Sequence, residues 1–211
     1  MVKTMEFVLP TIIKNSIQTY SLVPKNSTVL DVGGGDGTKA KKLYPDSKIF
    51  TIDIKNGWNV MEKGLPEGDW DVILANHFIE HISNPDYFLD QCKKIMRENT
   101  ILDIGTPNLV AWFNRMTFLF GYIPHSMELS TKFNVGKPFD WNNEELGGHI
   151  YVHSLRSLKE LLINHGFEII TVIGECSTFK CSPVILTLDK IITFINPNLS
   201  SAIRVKCTIS S

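Results

Sequence analysis

Residues Thr28–Leu43 read TVLDVGGGDGTKAKKL, and the order of residue types in that stretch decides the fold. A β-branched run closes on Asp31. Gly33, Gly34, Gly35 and Gly37 follow, and then a helix-like segment begins. That order spells a strand, a tight turn and a helix start. Glycines allow unusual backbone angles and let a ligand lie against bare main chain. The first turn of a helix adds N–H groups and the positive end of its dipole. Such a turn can hold a nucleotide-like cofactor.

The glycine spacing separates two cofactor classes. The dinucleotide fingerprint is G-x-G-x-x-G. Gly33 and Gly35 fill its first two places, but Thr38 stands where the last glycine belongs and Gly37 comes one residue early. The pattern is G-x-G-x-G. A second strand, Lys48–Ile52, ends at Asp53, 18 residues beyond Gly35. A carboxylate at that strand end can accept hydrogen bonds from a ribose diol. Trp70–Asn76 reads as a third, buried strand that continues into HFIEHISNPDYFLDQCKKIM. Another strand, Thr100–Ile104, leads into Gly105-Thr106-Pro107-Asn108. Later, Gly147–Ile170 holds a Gly-His pair, a Ser/Thr-capped helix, Gly166-Phe167 and a strand.

In that order these segments resemble the class I S-adenosylmethionine (SAM)-dependent methyltransferases, and most closely the small type 11 group. The glycine loop resembles their first motif. Asp71-Val72-Ile73, Glu80-His81 and Asn84-Pro85 resemble their fourth. The resemblance covers roughly residues 27–173. It implies a single Rossmann-like α/β domain over residues 1–211, with a mostly parallel seven-stranded sheet and helices on both faces. It also implies SAM as cofactor and S-adenosylhomocysteine as product. The cofactor contacts implied are Asp31, Gly33, Gly34, Gly35, Gly37, Asp53, Ile54, Asn59, Val60, Asn76 and His77. Asn59 and Val60 fall where the adenine edge is read, and Asn76 and His77 beneath the methionine part. Trp58 either covers the purine or packs in the core. One departure is clear. Only 18 positions separate Asp53 from Asp71, too few for a full crossover helix plus strand.

Composition bounds the rest. A chain of 211 residues, 43% hydrophobic and 20% charged, suits one soluble domain with a substantial core. The net charge is −1 and no basic stripe stands out, which argues against a nucleic-acid partner. Lys39, Lys41 and Lys42 read as a solvated helix face. Cys92, Cys176, Cys181 and Cys207 form no tight metal pattern and read as free thiols of a cytoplasmic protein. No apolar run reaches the roughly 18 residues that span a bilayer, which argues against stable membrane insertion.

The domain divides into an N-terminal amphipathic helix (1–24), a cofactor-binding half (27–107), an insertion (108–148) and C-terminal helices and strands (149–211). The insertion carries Trp112, Phe113, Phe118, Phe120, Tyr122, Phe133, Phe139 and Trp141. An aromatic, loop-rich segment at the carboxyl ends of strands suits an acceptor pocket or lid. Val184–Ile195 reads as a buried apolar helix before a last strand, Ala202–Ile209.

The chemistry expected is in-line methyl transfer to a small-molecule, glycan or lipid-linked acceptor. The sulfonium is already activated, so alignment and exclusion of water carry most of the work. An oxygen or nitrogen acceptor can also need a base. His149 and His77 are the candidates, with His153 behind them. A SAM-binding partner or regulatory protein without turnover is the alternative. A remote rival is zinc hydrolysis, because His77, Glu80 and His81 match H-x-x-E-H, with Glu144 or Glu145 as third ligand. The expected assignment is that no metal is bound.

Overall fold

The computed structural model describes Val23 and residues 26–138, 146–176 and 183–210. Six strands form one sheet: β1 (Thr28–Val32), β2 (Lys48–Ile52), β3 (Val72–Asn76), β4 (Ile101–Pro107), β5 (Phe167–Glu175) and β6 (Ala202–Ile209). Their order is β2-β1-β3-β4-β6-β5. The first four run parallel. β6 lies antiparallel to both β4 and β5. The chain leaves β1 to one side for β2 and returns on the other for β3. Beyond the carboxyl ends of such strands an open α/β sheet leaves a crevice.

Side-chain alternation along the strands builds two cores. Leu30, Ile73, Leu102, Ile104, Ile203 and Val205 face one side. There they meet Phe88, Leu89 and Cys92 of α3 (Pro85–Ile95) and Leu155, Leu158 and Leu162 of α5 (Leu155–Asn164). Val29, Val72, Leu74 and Ile101 face the other side and meet Ala40 and Tyr44, on and just after α1 (Thr38–Leu43). Helix α3 starts where the sequence placed a motif: Pro85 occupies the first turn and the Asn84 side chain accepts from Tyr87 N at 2.9 Å. Helix α5 opens with a reciprocal Ser154–Ser157 capping box.

The expected seventh strand is absent among the described residues. The shortened segment 53–71 is the reason. It holds a 3-10 turn (Ile54–Asn56) and the four-residue α2 (Val60–Lys63), which leaves no chain for another strand. Trp58 belongs to the core: it packs on the larger cluster and its indole N–H donates to Gly64 O at 2.9 Å. The expected helix over residues 1–24 lies outside the described residues, apart from Val23, as do Phe139, Trp141, Glu144, Glu145 and Cys181.

The helix expected to be buried near the C-terminus is α6 (Pro183–Ile195), and it corrects that expectation. Its buried positions are Asp189 and Thr193. Val184, Ile191, Phe194 and Ile195 are at least half exposed. Asp189 Oδ1 accepts from Trp112 Nε1 of α4 (Trp112–Leu119) at 2.8 Å and from Ser201 Oγ at 2.8 Å. Polar anchoring, rather than apolar burial, sets which side of α6 faces inward. No helix among the described residues is long and apolar enough to cross a membrane.

Candidate active site

A cleft of about 630 Å³ opens at the carboxyl ends of β1, β2 and β3. Its size falls in the range of small-molecule sites. Asp31, Gly33, Gly34, Gly35, Asp53, Asn76 and His77, expected from the sequence as cofactor contacts, line it. Asp36, Lys39, Lys55 and Asn56 line it too.

The glycine loop is held by its own surroundings. Gly33 N donates to Ile52 O at 2.8 Å, Gly35 N to Asp53 Oδ2 at 2.9 Å, and Gly37 N to Gly34 O at 3.0 Å. Thr38 N donates to Asp36 Oδ1 at 2.9 Å. Gly34 sits against the Asp31 carboxylate, and a Cβ there would collide with it. Gly35 has φ +60°, in the region where a side chain is strained. These N–H groups are turned to internal acceptors, so the loop is not an open anion cradle. Three carboxylates, Asp31, Asp36 and Asp53, converge around it instead.

Burial lifts the Asp31 carboxyl, with the neighbouring charges of Asp53 and Asp36 adding to it against the Thr51 hydroxyl and Lys39; it titrates at about 6. Asp53 uses its other oxygen to accept from Lys55 N at 2.8 Å, which starts the Ile54–Asn56 turn. At the cleft floor, Asn76 Oδ1 accepts from Arg204 Nη2 at 2.5 Å. Arg204 in turn bonds Asp103 at 2.9 Å and Glu175 at 2.5 Å. Asp103 also accepts from the Tyr44 hydroxyl and lies 3.8 Å from Lys206 Nζ. This buried network fills the α1 side of the sheet where apolar cover gives out, and it fixes Asn76.

Four expected contacts lie off the cleft lining. Gly37 is the left-handed residue that opens α1. Ile54 is exposed on the 3-10 turn. The Asn59 side chain caps α2, accepting from Met61 N at 3.0 Å and donating to Glu62 at 2.8 Å. Val60 is buried in the core. An N-x-x-E pattern at Asn59–Glu62 signals that cap in the sequence. The missed lining residues had a signal as well, since all four sit within a few positions of the glycines or Asp53.

His77 follows β3 with φ 53°, and its Nδ1–H donates to Glu80 Oε1 at 3.1 Å. Ile79–His81 is a 3-10 turn. His77 and His81 are therefore not one α-helical turn apart, which removes the basis of the H-x-x-E-H peptidase arrangement. Glu80 is fully buried. Its carboxyl is held below its ordinary range: burial pushes it up, but the His77 hydrogen bond, a backbone bond and the charges of His77 and His81 outweigh that. His149 does not line the cleft. Its Nδ1–H donates to Ser126 O at 2.9 Å, and its ring centroid lies 4.9 Å from that of His81. Burial and the charge of His81 lower its pKa, which favours the neutral ring. Burial likewise lowers that of His153.

Comparison with known proteins agrees with this geometry. The family described as "Methyltransferase domain" matches residues 9–172. A Mycolicibacterium smegmatis protein named "Probable S-adenosylmethionine-dependent methyltransferase" is 27% identical over 79 residues, 37% of this chain and 30% of that protein. The "Ubiquinone biosynthesis O-methyltransferase" of Rhodopseudomonas palustris is 32% identical over 69 residues, 33% of this chain and 26% of that protein. These matches span less than a third of the curated relatives' length. A SAM-dependent methyltransferase from Archaeoglobus fulgidus shares the fold, with a TM-score of 0.53 at 18% identity over 93% of this chain and 92% of that one. The chain belongs to the methyltransferase-domain family.

Proposed function

We propose that this protein moves the methyl group of SAM to a small-molecule, glycan or lipid-linked acceptor by in-line displacement, within one domain spanning residues 1–211. One observation carries the reading. The cleft sets three carboxylates around a glycine loop whose Gly33, Gly35 and Gly37 N–H groups are internally bonded. That arrangement suits a ligand with an ammonium, a sulfonium and a ribose diol better than a pyrophosphate. Asp53 takes the diol and Asp31 the ammonium. Gly33, Gly34 and Gly35 give the bare backbone, and Asn76 and His77 the floor beneath the methionine part. Lys55 and Asn56 replace Asn59 and Val60 as the residues nearest the adenine. His77 is the candidate base, because it lines the cleft. The exposed Phe118, Phe120, Tyr122 and Phe133 of the insertion are the acceptor-side surface.

A second reading is a SAM-binding partner without turnover. It is favoured by His149 being turned to Ser126 and His81 instead of the cleft. Both readings meet the same first experiment, calorimetric titration with SAM and S-adenosylhomocysteine. Micromolar binding is expected. Asp53→Ala should weaken it roughly ten- to hundredfold, the loss of one or two charge-assisted hydrogen bonds, with the circular dichroism unchanged. Unchanged affinity would sink the ribose assignment.

A further inference from the structure

We propose that Glu80, His81 and His149 form a site for a divalent transition-metal ion beside the cofactor cleft. One ligand atom from each residue lies within 4.8 Å of the others. The chain brings them together from far apart. Glu80 and His81 end the turn after β3, while His149 follows the insertion. Backbone bonds join the two segments: Ile150 N donates to Glu80 O at 2.7 Å and Tyr151 N to the same oxygen at 3.2 Å.

The hydrogen bonds around the rings favour metal binding. His81 Nδ1–H donates to Gly148 O at 3.3 Å, and His149 Nδ1–H donates to Ser126 O at 2.9 Å. In both rings Nε2 is left as the nitrogen with a lone pair. A metal-binding imidazole is oriented in this way, by giving its other N–H to a carbonyl or carboxylate. His81 Nε2 lies 3.9 Å from Glu80 Oε1. Glu80 Oε2 accepts from Thr106 Oγ1 at 3.0 Å, which fixes the carboxylate. Nearby, Ser126 Oγ and His153 Nε2 are buried without a hydrogen-bond partner.

Two imidazoles and one carboxylate suit Zn²⁺ and its neighbours better than Mg²⁺ or Ca²⁺. Ligands about 2.1 Å from one ion sit about 3–4 Å from each other, so closure needs ring shifts of about 1 Å. The His81 side chain is 35% exposed and has room to make that shift. Three protein ligands leave positions open for water or an oxygen donor. Glu80 also binds the cleft-lining His77, so the ion sits one carboxylate away from the cleft. Resting on the methyl-transfer reading above, the open positions receive an oxygen-bearing acceptor; ion binding itself does not depend on that reading.

The test is titration of chelator-stripped, desalted full-length protein with Zn²⁺, with bound metal counted by mass spectrometry. One zinc per chain at micromolar affinity or tighter is expected. His81→Ala and His149→Ala should each weaken it at least tenfold. His81→Gln keeps a polar side chain of similar reach and serves if His81→Ala fails to fold. His165→Ala removes a different ring, set between Asp86 and Asp90, and should leave zinc binding unchanged. No zinc uptake, equal affinity in the His81 and His149 variants, or a loss that follows His165→Ala would overturn the site. Zinc bound without SAM binding would leave this site standing and sink the methyl-transfer reading; SAM binding without zinc would do the reverse.

Discussion

Along β4 and β6, beneath the cleft, charged side chains turn inward and find partners, while on α6 apolar side chains turn outward and a carboxylate holds the helix down. The two regions invert the usual rule in opposite ways. On β4 and β6, Asp103, Arg204 and Lys206 are nearly fully buried, and each has an opposite charge within 4.0 Å. On α6, Phe194 and Ile195 are each 68% exposed while Asp189 is 2% exposed. The difference teaches that burial alone does not assign roles here. A buried charge matters through its partner, and an exposed hydrophobe matters through its neighbours.

The largest effect should come from breaking the charged side of the comparison. Arg204→Met keeps much of the volume but takes the guanidinium away from Asp103 and Glu175, leaving Asp103 only Lys206 and the Tyr44 hydroxyl. Removing one partner of a buried pair costs about 3–5 kcal/mol. Urea unfolding should show that loss, and SAM binding should weaken as well, because Asn76 loses its brace. A variant as stable as the parent would mean that the network is merely tolerated.

Asp31 gives the next effect, and its sign depends on pH. Its carboxyl titrates at about 6 in the folded protein, against an ordinary 3.8. Between those values the native state holds a proton that the unfolded chain has lost. Stability from this group is therefore fully present below about pH 4, falls as pH rises to about 6, and stays low above. Asp31→Asn should stabilise the cofactor-free protein by up to about 3 kcal/mol at pH 7.5 and by almost nothing at pH 4. It should also weaken SAM binding. A pH-independent gain would remove the titration argument, and unchanged SAM affinity would remove the ammonium contact.

The contrast also marks what the sequence reveals. Local signals were legible: Lys48–Ile52 and Ala202–Ile209 are strands with the expected bounds, and the glycine loop, Asp53, Asn76 and His77 meet at one cleft. Non-local pairing was not. Arg204 and Lys206 alternate with apolar residues in AIRVKCTI, as solvent-facing positions of a strand would. Only Asp103, a hundred positions away, tells that they are buried. Helix α6 hid its orientation for another reason. It is apolar around most of its circumference, so hydrophobic periodicity gives no phase, and the inward side follows from Asp189 meeting Trp112 and Ser201. Asn59 caps α2 off the cleft lining, and the sequence does not separate the two uses because capping and ligand contact call for the same side chain.

Asp189→Ala tests that anchoring directly. It removes the acceptor of two donors, the partly buried Trp112 Nε1 and the buried Ser201 Oγ. Leaving donors unsatisfied costs about 1–3 kcal/mol. The loss should appear first in hydrogen exchange of α6 and α4, ahead of β1 to β4, since local opening follows local stability. Uniform loss across the sheet would mean that α6 is integral to the core.

The smallest effect belongs to the outward face of α6. Leu188 and Leu158 are the same residue on two helices, yet Leu188 is 45% exposed and Leu158 is fully buried. Leu158→Ala in α5 should cost about 2–5 kcal/mol, the transfer and cavity cost of a core leucine. Leu188→Gln should stay within about 0.5 kcal/mol of the parent, because a half-exposed leucine has little area left to lose. Chemical unfolding of the two variants side by side measures the difference. A Leu188 cost approaching that of Leu158 would mean that the outward face of α6 is covered in solution, and dilution of the parent protein should then lower its own stability too.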